Sequence, residues 1–156
     1  MLLLMLELDM PIDAVLNADT GMEFPEMYEH LKQVDERLYR KRGIHITRLK
    51  SPKSFEYIMF DEPKQKASCI ANRQLLGVPC KGNGWPGIHV RWCTGQLKTH
   101  LISREVNRLR RDRLCVQYIG IAADEAKRCK TDSYPLVDWG ITESEALQIC
   151  YERGFR

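Results

Sequence analysis

Three short stretches of this chain combine residue types that could hold or process an anion. The stretch Arg91-Trp92-Cys93-Thr94-Gly95-Gln96-Leu97-Lys98 sets a guanidinium, a thiol and an ammonium around what reads as a helix start capped by Thr94. Two cations at the positive end of a helix dipole favour a bound phosphate or sulfate and make a neighbouring thiol more reactive. Asp19-Thr20-Gly21 offers a carboxylate, a hydroxyl and a flexible backbone at the end of a strand. Asp124-Glu125 with Arg128 occupies the turn after another strand. Each stretch also has a plainer reading: a turn and cap at 19–21, a packed Trp92 with solvated cations at 91–98, and first-turn acids at 124–125.

The elements that must position these residues alternate strand and helix. Asp13 to Ala18 is short, aliphatic and preceded by Pro11, which predicts a buried strand. The following helix carries Met27, Leu31, Val34 and Leu38 at steps of four, three and four. Pro25, Glu23 and Glu26 suit its first turn, Arg40, Lys41 and Arg42 its last, and Gly43 its left-handed cap. Ile44 to Leu49 then reads as the next strand, which makes strand, helix and strand a right-handed parallel crossover. Residues 61–92 are rich in Pro and Gly, and only Gln65 to Leu76 there has helical character. That long loop reads either as a functional segment or as a solvated insertion. Beyond it, Leu97, Leu101, Ile102, Val106 and Leu109 mark one face of a helix, with Arg104, Arg108, Arg110, Arg111 and Arg113 forming a solvated basic end. Cys115 to Ile121 predicts a third strand, and Thr142-Glu143-Ser144-Glu145 announces a last helix through a capping box. In an open parallel sheet, ligands bind beyond the carboxyl ends of the strands, and all three candidate stretches fall at that edge by sequence position.

Composition narrows the classes. The 156 residues are 44% hydrophobic and 29% charged, as in an ordinary globular domain, and one domain is the natural expectation. The longest apolar run, Met1 to Leu6, is too short to span a membrane and has no basic residue before it, so neither a membrane anchor nor a signal peptide is expected. Against 24 Lys and Arg stand 21 Asp and Glu, and a net charge of +3 gives no strong nucleic-acid signal. The cysteines Cys69, Cys80, Cys93, Cys115, Cys129 and Cys150 are never closer than eleven positions, which excludes CxxC spacing. They read as reduced, cytoplasmic thiols packed mostly in the core.

Taken together, the motifs resemble the phosphoadenosine phosphosulfate (PAPS) reductase family. The resemblance rests on Asp19-Thr20-Gly21 with Phe24-Pro25-Glu26, on Arg91-x-Cys93 with Lys98, on Gly120-Ile121 with Asp124-Glu125 and Arg128, and on Tyr134-Pro135-Leu136-Val137-Asp138-Trp139. Their order and spacing run along nearly the whole chain. The resemblance implies an adenine nucleotide alpha-hydrolase-like α/β fold: a doubly wound, mostly parallel sheet of five strands with helices on both faces. It implies ATP or PAPS as substrate, with Mg as a possible companion, and a thioredoxin-like electron donor. It also implies sulfonucleotide reduction or ATP-dependent sulfur or adenylyl transfer. On this pattern Arg91 and Lys98 hold phosphate or sulfate, Asp19, Thr20 and Gly21 position the nucleotide with Asp124, Glu125 and Arg128, and Cys93 carries the sulfur chemistry.

The sequence departs from that pattern in named places. Relatives open with a Ser-Gly-Gly-x-Asp-Ser phosphate loop ahead of a helix like Met1 to Leu8, and this chain is expected to begin inside that helix, lacking the loop. It is also expected to stop short at the other end, where relatives carry further cysteines. An iron–sulfur cluster on Cys93 would need those cysteines and is not expected here. Ala122 replaces an arginine usual in sulfonucleotide reductases, which points to the branch often encoded by phages or mobile elements. The alternative expectation is an inactive remnant or binding module. Open strand edges and the apolar face of Met1 to Leu8 favour a homo-oligomer or a complementing segment.

Overall fold

The computed structural model describes residues 1–155. Two compact units emerge from the contacts within it. One, here the sheet unit, comprises Val15–Glu29 and Ile46–Arg108; the other, the terminal unit, comprises Met1–Ala14, His30–His45 and the chain from Leu109 on.

The protein is a mixed α/β chain with a small parallel sheet. In the sheet unit β1 (Val15–Asp19) and β2 (Ile46–Lys50) pair in parallel, from Val15 opposite Ile46 to Asp19 opposite Lys50. Parallel neighbours need a long crossover, and α2 (Pro25–Arg42) supplies it. Its boundaries match the local signals: Pro25 opens it, Arg40, Lys41 and Arg42 fill its last turn, and Gly43 takes φ +69°. The first strand differs from expectation in two respects. It starts two residues later, after Pro11 and Asp13, and every residue in it is half-buried rather than buried.

The core of the sheet unit gathers Phe55, Ile58, Trp92 and Leu97, with Met59 and Cys93 packed against it. Phe55 and Trp92 lie 4.9 Å apart between ring centroids, and the Trp92 indole N–H donates to the Gly84 carbonyl at 3.1 Å. A π-helical turn (Tyr57–Asp61) presents Ile58 to this cluster, and a second (Thr94–Thr99) presents Leu97 before running into α4 (His100–Leu109). Helical structure already begins at Trp92, so Thr94 lies inside the turn and does not cap it. The five arginines from Arg104 to Arg113 are exposed, as expected of a solvated basic end.

Residues 61–92 are mostly exposed, yet part of the segment is pinned by hydrogen bonds. They hold α3 (Ala67–Leu75), whose Arg73 guanidinium donates to the carbonyls of Pro79, Lys81 and Gly82 at 2.6, 2.7 and 2.8 Å. Gly82 is required there: its φ is +65°, and a Cβ would collide with the carbonyls of Met59 and Phe60.

In the terminal unit α1 (Leu2–Glu7) buries Leu3, Met5 and Leu6, and its Glu7 carboxylate takes both arms of Arg153 at 2.6 Å. A 3₁₀ turn (Ala123–Arg128), α5 (Pro135–Asp138) and α6 (Glu143–Glu152) follow. The capping box is present: the Glu145 N–H donates to the Thr142 hydroxyl at 3.4 Å, and the Thr142 N–H to the Glu145 carboxylate at 2.8 Å. Cys115 to Ile121 is not a strand. It meets Ser133 in one parallel bridge, with Ile119 donating to the Ser133 carbonyl at 2.9 Å and Ser133 to that of Gln117 at 3.0 Å. An extended segment becomes a strand only with a ladder of partners, and residues 131–134 offer a single rung. Nor are the cysteines core residues: Cys69 is exposed, the other five are half-buried, and all six are unpaired thiols.

Candidate functional site

At the carboxyl edge of the parallel pair Asp19, Thr20, Gly21 and Lys98 come together. At the end of β1 the chain turns because the Asp19 carboxylate accepts the Gly21 N–H at 2.8 Å, an Asx turn that leaves Gly21 at φ +77°. The same oxygen accepts the Tyr28 hydroxyl at 2.9 Å, from the first turns of α2. Thr20 accepts the Met22 N–H at 3.2 Å and donates to the Glu23 carboxylate at 3.0 Å. That Glu23 oxygen also holds the Lys98 ammonium at 3.1 Å. Residues from two separate motifs, 19–23 and 91–98, therefore form one network.

Its electrostatics follow from these bonds. Burial alone pushes the Asp19 carboxyl up, but the Gly21 N–H, the Tyr28 hydroxyl and the charges of Lys50 and Arg48 outweigh it and hold Asp19 below its ordinary 3.8. A carboxyl lowered in this way contributes stability that is fully present above its unfolded pKa and is lost as pH falls through the folded value. Tyr28→Phe removes one of the two bonds and is expected to raise the Asp19 pKa, read from the carboxyl carbon shift in an NMR titration. An unchanged titration would show that the hydroxyl does not hold this carboxylate.

Not every expected residue joins the network. Arg91 is exposed, makes no ion pair among the described residues, and contributes its carbonyl to the Gly95 N–H at 3.2 Å. Cys93 packs half-buried on the aromatic cluster instead of standing open at a helix N-terminus. Exposure then ranks the thiols differently from the sequence pattern, and Cys69 is expected to be alkylated first in a brief iodoacetamide pulse mapped by mass spectrometry. Faster labelling of Cys93 would restore it as the reactive thiol. The third candidate group lies in the terminal unit: Asp124 accepts the Glu143 N–H at 3.2 Å at the start of α6, and Glu125 grips Arg128 through both oxygens at 2.5 Å. Among the described residues no group of three or more His, Cys, Asp or Glu side chains is placed to hold a metal ion, and Cys93 has no companion ligands for a cluster.

Three contributors escaped the sequence reading. Tyr28 and Glu23 were visible only as helix residues, because their roles depend on the Asx turn folding back on α2. Lys50 stands opposite Asp19 through strand register, which no local pattern reveals.

The class defined by this arrangement is a β-α-β crossover with a polar, mixed-charge carboxyl edge. Comparison with protein-family models, curated proteins and solved structures finds no match. Among the described residues no helix is long and apolar enough to cross a membrane.

Proposed function

We propose that the sheet unit is an adenine-nucleotide-binding domain of the PAPS reductase type, with ATP or PAPS seated at the carboxyl edge of a doubly wound sheet of which β1 and β2 form part. The observation that supports this reading is the Lys98–Glu23 contact, which ties the 91–98 stretch to the turn that follows β1. Asp19 faces the polar, ribose side of the ligand, while Lys98 exchanges the Glu23 carboxylate for phosphate or sulfate and the exposed Arg91 adds a second cation. Oriented backbone and ionised side chains at such an edge bind anions without induced charge.

A second reading is a binding module without sulfur chemistry. It is favoured by the packing of Cys93, since a thiol half-buried against an aromatic cluster is less open to a substrate sulfur or an electron donor than one standing free at a helix start.

Calorimetric titration of the chain with ATP, PAPS and their hydrolysis products tests the nucleotide reading. Saturable binding is expected, with Lys98→Ala weaker by about 1.5–3 kcal/mol, the worth of a charge-assisted hydrogen bond. Absence of saturation with all of these ligands would end it. Binding without sulfite release from PAPS in the presence of thioredoxin would select the module over the reductase.

A further inference from the structure

Away from the sheet edge, the π-helical turn and the start of α3 enclose a groove of about 450 Å³, lined by Lys53, Tyr57, Glu62, Lys64, Lys66 and Cys69. Three lysines and one carboxylate line it. Glu62 satisfies Lys53 at 2.6 Å, which leaves the charges of Lys64 and Lys66 without a carboxylate partner among the described residues.

Lys64 is fixed in place. Its ammonium donates to the Asn83 side-chain oxygen at 2.5 Å, and the Asn83 amide is itself anchored on the Ile58 carbonyl at 2.9 Å. Its backbone N–H donates to the Cys80 carbonyl at 3.0 Å. Burial, and after it the neighbouring Arg73 charge, push the Lys64 pKa below its ordinary 10.5. The Arg73 guanidinium is held on three loop carbonyls and does not line the groove. Two of the three lysines of the groove thus make no ion pair with its single carboxylate, and an anion would supply one. Lys66 also begins α3 with no side-chain cap, so the first N–H groups of that helix favour an anion as well.

We propose that this groove binds the phosphate chain of a small di- or triphosphate, with Lys64 and Lys66 as its cations and Tyr57 as a hydroxyl donor. A single carboxylate would merely duplicate Glu62, whereas a chain of phosphates carries enough charge to engage Lys64 and Lys66 and to compete with Glu62 for Lys53. The volume matches such a group, at the lower end of small-molecule sites. The proposal stands independently of the adenine-nucleotide reading.

The probe is inorganic tripolyphosphate, which has no adenosine, titrated calorimetrically into the full chain. Saturable binding is expected, weakened about tenfold by Lys64→Met and by Lys66→Met. Glu62→Gln is expected to tighten it several-fold by releasing Lys53, an effect that damage to the fold would not produce. Lys66 is exposed, so its variant keeps the test valid should Lys64→Met unfold the loop through loss of the Asn83 contact. Lys32→Met, an exposed lysine on α2, is the control for bulk charge. No saturable binding, or equal weakening by Lys32→Met and Lys66→Met, overturns the proposal.

Discussion

Trp92→Ala is expected to destabilise the protein by about 3–5 kcal/mol, the range for deleting a packed aromatic side chain. Trp92 is 8% exposed, packs tilted against Phe55, and is the residue at which the helical structure leading to Lys98 begins. Its removal leaves a void beside Ile58 and Leu97 and strips the Gly84 carbonyl of its indole donor. Urea denaturation followed by circular dichroism reads the loss as a shift in midpoint. Trp92→Phe restores most of the volume without the N–H and is expected to lose less. A loss below about 1 kcal/mol for the alanine variant would mean that the cluster is not the core of the sheet unit.

The second large effect is expected on α2. Leu38→Ala removes a side chain with 0% exposure and is expected to cost about 2–5 kcal/mol. Met27 occupies the same predicted apolar stripe but is 53% exposed, and Met27→Ala is expected to stay within about 0.5 kcal/mol. The two variants lie on one helix and belong to one sequence pattern, so the contrast measures packing alone. Equal losses would show that the stripe is uniformly buried in solution.

That contrast also marks how far the sequence could be read. The ends of α2 and α6 were legible because proline, the basic last turn, glycine and the capping box act within a few residues of themselves. The parallel pairing of β1 and β2 was legible because a helix between two aliphatic segments leaves little choice. Cys115 to Ile121 misled because an apolar run of strand-forming residues says nothing about the partner, which lies at Ser133 and makes one bridge. Thr94 misled because Trp92 is drawn into the aromatic cluster and starts the helical turn early. At the candidate site the turn of Asp19 was local and readable, whereas the Tyr28 and Lys98 contacts and the lysine groove depend on chain reversals that residue spacing does not encode.

The three carbonyls held by Arg73 have a further consequence, for proteolysis. Trypsin needs the same guanidinium in its specificity pocket, so at Arg73 the enzyme competes with Pro79, Lys81 and Gly82 for one side chain. Scission after Arg73 therefore requires the loop to let go first, and its rate follows the population of that opened form rather than the exposure of the surrounding segment. Lys66, seven residues earlier and exposed, bears no such restraint. In a limited digest the order of these two cuts becomes a clock for the opening of residues 61–92, and a ligand that bridges Lys64 to its surroundings would slow the later one.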